Sequence, residues 1–264
     1  KKKTTEDDYK VRKADEELNE EKDVEKALDL VDKQLKDTPD NVDALMLRMR
    51  IYQNREEFGK ALADVNRAIK VNNPKKSGFE QSTLYWWQSY AYAGLDDDAK
   101  AATAAGTAYR LAQKEKSEYL QVIAFDYGRA LYNIGELDGS DAVFRKMLAE
   151  DETDVGAMYG IARNLVKRDR YDEAEQQILA AIRVRDTYAP LYRLLIQVYD
   201  HKGDYNGAID AAIAYVDKES DPSWRLLINA GKKNLNYAIA NMRAKMKSSE
   251  NPIYWRALIA ELYY

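Results

Sequence analysis

Three consecutive carboxylates come nearest to a catalytic arrangement in this sequence. Asp96, Asp97 and Asp98 are adjacent, and paired carboxylates can serve as general acid and base. They stand at the start of a predicted helix, however, where negative charge stabilises the positive end of the helix dipole. The sequence has neither a glycine-rich phosphate-binding loop after a strand nor a GxSxG nucleophile turn. We therefore predict that these acids cap a helix and that the protein is not an enzyme.

Metal and thiol chemistry have fewer candidates still. The sequence has no cysteine and one histidine, His201, which excludes disulfides, thiolate zinc sites and multi-histidine metal sites. His201 follows a predicted helix, where it is either a recognition residue or a solvated residue of the turn. We predict no cofactor and no metal site.

Composition narrows the classes of partner. Charged residues make up 33% of the chain and the formal net charge is −4, whereas general nucleic-acid binders carry an excess of Lys and Arg. No apolar run approaches the roughly 18 residues that a membrane span needs. We predict solvated helices, no nucleic-acid partner and no membrane span.

A repeat of 34 residues determines the helices on which any functional site must lie. Turns followed by a small residue, such as EEFGKAL and DRYDEAE, place repeat starts at Val42, Gln121, Val155 and Ala189. The last three starts are 34 residues apart, which is the length of one helix–turn–helix unit. No such unit buries its apolar face without neighbours.

These units resemble the tetratricopeptide repeat (TPR) family, in a form typical of bacterial TPR proteins. Counted from Ala189, the family's large residues at positions 4, 7 and 11 are Tyr192, Leu195 and Tyr199, and its glycine at position 15 is Gly203. The small residue of position 20 is Ala27, Ala61, Ala99, Ala174 and Ala208, with Ser140 as the exception. A small side chain there lets the two helices of a unit approach closely. The resemblance implies an all-α, right-handed helical solenoid of antiparallel helix pairs.

The predicted organisation is a single TPR solenoid over residues 1–264, with about six units and a terminal helix. The units span residues 8–41, 42–79, 80–120, 121–154, 155–188 and 189–222, followed by an irregular segment 223–251 and a terminal helix 252–264. Because the terminal helix ends on Leu262, Tyr263 and Tyr264, we expect the native chain to continue; a capping helix is the alternative. Because residue 1 is Lys rather than Met, we expect that an upstream segment has been removed, and we favour export to the periplasm or cell envelope over the cytoplasm.

In TPR proteins, positions 2, 5, 9, 12 and 13 of the first helix of each unit line a concave groove, and their helical spacing places them on one stripe. In unit 80–120 these positions are Gln81, Leu84, Gln88, Ala91 and Tyr92. Trp86, Trp87 and Tyr90 then fall at core positions 7, 8 and 11. Over five units the groove positions carry five basic residues (Arg50, Arg129, Arg163, Lys167, Arg193) and two acidic ones (Asp43, Asp200).

We predict that this stripe binds peptides, because guanidinium groups pair with carboxylates and aromatic rings pack against side chains. The predicted peptide-binding residues are Arg50, Gln88, Tyr92, Phe125, Arg129, Tyr132, Asn133, Tyr159, Arg163, Lys167, Arg193 and Gln197. The function predicted from them is a protein–protein interaction scaffold whose partner protein or peptide is acidic or has a free C-terminus. The alternative is a helical spacer or oligomerisation segment of a larger protein whose activity lies in another domain.

Overall fold

The computed structural model describes residues 24–218 and 224–263. The first helix predicted for unit 8–41, the unit boundary at residues 222 and 223, and Tyr264 lie outside the described residues. Every regular element in the described ranges is a helix, which confirms the predicted all-α fold class. The helices are α1 (Val24–Asp37), α2 (Val42–Asn54), α3 (Phe58–Val71), α4 (Pro74–Ser77), α5 (Gln81–Gly94), α6 (Asp98–Glu115), α7 (Leu120–Asn133), α8 (Leu137–Glu150), α9 (Val155–Lys167), α10 (Tyr171–Val184), α11 (Ala189–Lys202), α12 (Tyr205–Lys218), α13 (Trp224–Gly231), α14 (Leu235–Ser248) and α15 (Pro252–Glu261).

The chain divides between Ser140 and Asp141 into two compact units, which we call the N-terminal and C-terminal units. Consecutive helices pack in pairs, α2 on α3 and α5 on α6 in the N-terminal unit, and α9 on α10 and α11 on α12 in the C-terminal unit. We call α2, α5, α7, α9 and α11 the first helices. The helix pairs are therefore those expected of a TPR-type repeat.

Small residues lie where paired helices cross. Ala61, Ala174 and Ala208 are fully buried, so the backbones approach without an intervening side chain. Ser140, the exception in the sequence, is also fully buried, and its hydroxyl donates a hydrogen bond to the Gly128 carbonyl at 2.8 Å. A serine therefore serves at this position because its polar group is satisfied.

Five turns share one backbone conformation. The residue two places before the second helix of each pair has a left-handed conformation, with φ between 57° and 81°; these residues are Glu56, Asp96, Gly135, Asp169 and Gly203. The next residue donates its backbone N–H to a carbonyl five residues earlier, as Asp97 does to Tyr92 at 3.0 Å. This bond satisfies a carbonyl of the last helical turn. The Asp97 side chain then accepts the Lys100 backbone N–H at 3.1 Å, so the capping role predicted for the acidic run is confirmed at Asp97.

The left-handed residue also fixes the register of the third repeat. A left-handed residue stands at position 15 in the units that start at 42, 121, 155 and 189. Asp96 is the equivalent residue of the third repeat, so that repeat starts at residue 82 and not at residue 80. Burial agrees, because Ala101 is buried and occupies position 20, while Ala99 is exposed. Leu84, assigned to the groove from the sequence, is 0% exposed; that assignment is wrong. The α5 sequence QSTLYWWQSYAYAG has apolar residues around its whole circumference, so periodicity does not select a buried face.

Candidate functional site

A groove of about 650 Å³ lies along α2 and α5 of the N-terminal unit and reaches the start of α7. We call it the aromatic groove. Its lining residues are Asp43, Met46, Leu47, Arg50, Gly78, Phe79, Glu80, Thr83, Trp86, Trp87, Glu118 and Tyr119. With the register set by Asp96, Thr83 and Trp86 occupy groove positions 2 and 5 of their repeat. Trp86 and Trp87, interpreted from the sequence as core residues, are half-buried: each packs against a cluster of buried residues and also lines the groove.

Aromatic rings form a continuous wall in this groove. The Trp86 and Trp87 ring centroids are 5.7 Å apart, and Trp86 lies 6.3 Å from Tyr119 with an interplanar angle of 26°. Tyr119 is 43% exposed. Ring faces and edges at these distances contact one another favourably, and the outer ring remains open to solvent. The groove therefore offers a large apolar surface for a ligand.

A buried carboxylate braces the wall. The Trp86 Nε1–H and the Tyr90 hydroxyl both donate hydrogen bonds to Oδ2 of Asp126, at 2.8 and 2.6 Å. Oδ1 of the same carboxylate pairs with the Arg129 guanidinium at 2.9 Å. Burial and the hydrogen bond to Asp126 raise the pKa of Tyr90 to about 12. Asp126 on α7 thus holds two aromatic side chains of α5 in fixed positions.

Charges in the aromatic groove are mainly negative. Among the described residues, Asp43, Glu80 and Glu118 contribute three carboxylates to the lining, and Arg50 contributes a guanidinium. Glu80 also accepts a hydrogen bond from the Ser117 hydroxyl. Carboxylates placed beside rings attract cations and repel anions. The groove positions counted from the sequence gave α2 and α5 one acid and one base, Asp43 and Arg50, and Glu80 and Glu118 make the lining negative from outside those positions.

Gln88 and Tyr92, two of the predicted peptide-binding residues, lie away from the groove lining. The Gln88 amide donates a hydrogen bond to Asn66 Oδ1 on α3 at 2.7 Å. The Tyr92 ring lies 5.6 Å from the Lys100 ammonium, and the Tyr92 carbonyl closes the turn before α6. The shift of two residues in register explains both positions.

The predicted residues of α7 fall beside a second, smaller hollow. Arg129 and Asn133 line a space of about 290 Å³ together with Gln53 and Tyr90. Phe125 and Tyr132 are half-buried on the same helix. Because Arg129 already pairs with Asp126, its charge is balanced within the protein.

The C-terminal unit presents basic side chains on its first helices. The Arg163 guanidinium lies 5.7 Å from the Tyr159 ring centroid, and Lys167 is exposed on the same helix. Arg193 and Gln197 are exposed on α11. We call the surface formed by Tyr159, Arg163, Lys167, Arg193 and Gln197 the basic face. Asp200, the acidic residue predicted for this stripe, pairs with Lys233 at 2.6 Å.

Metal-binding clusters and membrane-spanning helices are both absent from the described residues. Residues 24–218 and 224–263 contain no group of three or more His, Cys, Asp or Glu side chains arranged to hold a metal ion. In the same ranges, none of the helices combines the length and the apolar character of a membrane span. His201 is exposed and stacks on Tyr171 with ring centroids 4.7 Å apart.

Known proteins resemble this chain in structure and not in sequence. No protein-family model and no curated protein matches the sequence. A tetratricopeptide repeat protein from Parabacteroides merdae is similar with a TM-score of 0.71 and 17% identity, over 98% of this chain and 99% of that one. PilW, a widely conserved type IV pilus biogenesis factor, gives a TM-score of 0.64 and 15% identity, over 94% and 97% of the two chains.

A third similar structure is YrrB, described as a TPR protein with an unusual peptide-binding site. Its TM-score is 0.51 at 16% identity, over 76% of this chain and 97% of YrrB. Identities this low carry information about the fold alone. Helix pairs closed by the same turn, small residues at their crossings and similarity to TPR structures over almost the whole chain lead to one conclusion: the protein has the tetratricopeptide-repeat fold.

Proposed function

We propose that the protein is a non-enzymatic scaffold that binds a partner protein or peptide on its first helices. The aromatic groove carries this proposal, because it combines about 650 Å³ of open space with a wall of tryptophan and tyrosine rings. Trp, Tyr and Arg are enriched among the residues that dominate binding energy at protein interfaces. The similarity to YrrB, described as having a peptide-binding site, supports the same function.

The basic face of the C-terminal unit supports a more specific ligand. Arg163 beside Tyr159, with Arg193 on the next first helix, suits carboxylate groups of acidic side chains or of a free C-terminus. Charge-assisted contacts of this kind are worth roughly 1.5–3 kcal/mol each when they are desolvated. We propose that an acidic peptide segment binds there, with an affinity that falls as salt increases.

Exposed apolar residues of the C-terminal unit favour a second candidate function. Ile253 is 77% exposed, Tyr263 60% and Trp224 40%. Apolar residues exposed in this way are typical of contact surfaces. A helical spacer or oligomerisation segment, acting beside a domain with another activity, is therefore the alternative.

Peptide display on the purified protein tests the scaffold proposal. Random peptides are selected with the parent and with Arg163→Glu/Arg193→Glu, and Arg183→Glu on α10 serves as a matched control because Arg183 is also exposed. We expect acidic sequences to be enriched by the parent and the control and lost in the double variant. Equal enrichment by all three proteins would contradict the role of the basic face.

Sedimentation over a range of protein concentrations tests the alternative in the same samples. Failure to enrich any peptide, together with self-association of the parent, would favour the oligomerisation function. The double variant must keep the parent's helical circular dichroism and melting temperature, so that lost binding reports lost contacts.

A further inference from the structure

We infer that the aromatic groove binds a lysine or arginine side chain of an extended peptide segment. This inference rests on the proposed scaffold function and adds the chemistry of the ligand at one site. It differs from the acidic ligand proposed for the basic face, because the two surfaces belong to different units and carry opposite charge.

The first argument is the chemistry of the groove wall. The Trp86 ring centroid lies 5.7 Å from that of Trp87 and 6.3 Å from that of Tyr119. A cation within about 6 Å of such a ring is attracted by the negative face of the π-system, most strongly by tryptophan. The aliphatic stem of a lysine or arginine also packs well against aromatic rings. The wall therefore fits a long cationic side chain better than a short polar one.

The second argument is the position of the carboxylates. Asp43 is the second residue of α2, Glu80 directly precedes α5, and Glu118 precedes α7 by two residues. All three therefore belong to the N-terminal ends of successive first helices, and all three line the same groove. Arg50 lies about two turns further along α2. A cation that enters beside the rings meets three carboxylates, whereas an acidic peptide is repelled.

The third argument is that the wall is formed before a ligand arrives. The hydrogen bond from Trp86 to Asp126, at 2.8 Å, fixes the indole orientation from the neighbouring helix. Asp126 is itself buried. A side chain that is already ordered loses little conformational entropy on binding. The volume of about 650 Å³ lies within the range of about 300–1,000 Å³ that is usual for ligand sites.

Peptide pools that differ in one charge test the inference directly. Three pools of capped peptides carry arginine, citrulline or glutamate at the central position and uncharged residues elsewhere; citrulline keeps the shape of arginine and lacks its charge. Binding to the full chain is followed by the indole N–H resonances of its tryptophans. We expect the arginine pool to shift the signals of Trp86 and Trp87 while Trp224 and Trp255 stay unchanged. The citrulline pool should bind about tenfold more weakly, and the glutamate pool more weakly again.

Charge-neutralising variants test whether the carboxylates of the groove, and not the net charge of the protein, attract the cationic peptide. Glu80→Gln/Glu118→Gln should weaken binding of the arginine pool by about three- to tenfold and leave the citrulline pool unchanged. Glu136→Gln, in the exposed turn after α7, removes a carboxylate outside the lining of the groove and should change neither. A circular dichroism melt of each variant checks that the fold is kept.

The outcomes distinguish this inference from the proposed function. Equal binding of the arginine and citrulline pools, or an arginine pool that leaves Trp86 and Trp87 unshifted, overturns the cationic ligand. If peptide display still enriches sequences without a cationic preference, the scaffold function stands without it. If display enriches nothing and no pool binds, both are overturned.

Discussion

The aromatic groove and the basic face are built on the same type of first helix and carry opposite charges. In the N-terminal unit the groove presents Asp43, Glu80 and Glu118 beside tryptophan rings. In the C-terminal unit the corresponding helices present Arg163 and Arg193. The turns and the crossings of small residues are alike in both units. The repeat therefore fixes the backbone, while a few positions on each first helix decide what is bound.

Arginines of the N-terminal unit show how pairing within the protein alters the charge that a surface presents. Arg48 donates hydrogen bonds to both oxygens of Asp64, at 2.8 and 2.6 Å, and to Asp32 at 2.7 Å, and the bond to Asp64 raises the pKa of Arg48. Arg129 is similarly engaged by Asp126. Arg48 thereby joins α1, α2 and α3, whereas Arg129 pairs with a carboxylate of its own helix, three residues earlier. The charge of a surface depends on such pairings.

Overpacking the helix crossings should give the largest effect and tests whether the two units share one register. Ala101→Trp in the N-terminal unit and Ala174→Trp in the C-terminal unit each place a large side chain where a buried alanine lies. We expect each to lower the free energy of unfolding by about 1–3 kcal/mol or more. Ala99→Trp is the matched control because Ala99 is exposed, and it should stay within about 0.5 kcal/mol of the parent. Urea unfolding followed by circular dichroism measures all three; a larger loss in Ala99→Trp than in Ala101→Trp would restore the register expected from the sequence.

Removal of the brace behind the aromatic groove should have the next largest effect. Asp126→Ala leaves the Trp86 and Tyr90 donors and the Arg129 charge without their acceptor. We expect a loss of about 1–3 kcal/mol in unfolding free energy and a shift of the Trp86 indole resonance. Asp126→Asn retains one acceptor oxygen and should lose less. An unchanged Trp86 resonance in Asp126→Ala would show that the brace does not hold the wall.

Reversal of charge on each surface tests whether the two surfaces select peptides of opposite charge. Its effect on peptide affinity should be smaller than the preceding effects and selective for one peptide. Glu80→Lys/Glu118→Lys should weaken binding of cationic peptides and leave acidic peptides unaffected. Arg163→Glu/Arg193→Glu should do the reverse, each by about tenfold at low salt. Fluorescence anisotropy with one labelled peptide of each charge measures both. Loss of both peptides in either variant would mean that the two surfaces do not bind independently.

Stability should also respond to alkaline pH, through one tyrosine in each unit, and this effect should be smaller than the preceding ones. Burial is the main cause that raises the pKa of both Tyr90 and Tyr199 to about 12, helped by Asp126 for Tyr90 and by Glu175 for Tyr199. An unfolded tyrosine loses its proton near its ordinary pKa of 10.0, so the unfolded state binds fewer protons between about pH 10 and 12. Stability should therefore fall as pH rises through that window. Tyr90→Phe and Tyr199→Phe should each make the fall shallower in urea unfolding; an equal slope in a variant and the parent would contradict the raised pKa.

The aromatic groove shows how far sequence reasoning about the site could reach. Asp43 and Arg50 were placed on the groove stripe of α2, and both line the aromatic groove. Trp86 was interpreted as core because the third repeat was counted from residue 80, a start that places the alanine Ala99 at the small position 20. Asp96 was the residue that could have shown the correct register, because the acidic residues Glu56 and Asp169 occupy the same place in the equivalent turns and have the same left-handed conformation. Glu118 and Tyr119 could not be found in this way, because they precede α7 and lie outside the repeat positions.

The sequence by itself determined the helix pairs, because a small residue recurring at a fixed distance from a turn leaves two amphipathic helices one way to pack. It also determined the turns, where glycine or an acidic residue takes the left-handed conformation. Only the tertiary structure decided which side of α5 faces the groove, since a helix that is apolar all round takes its orientation from its neighbours. The hydrogen bonds of Trp86 and Tyr90 to Asp126, 40 and 36 residues away in the chain, settle that orientation. They turn Trp86 toward the groove, whereas the repeat count assigned it to the core.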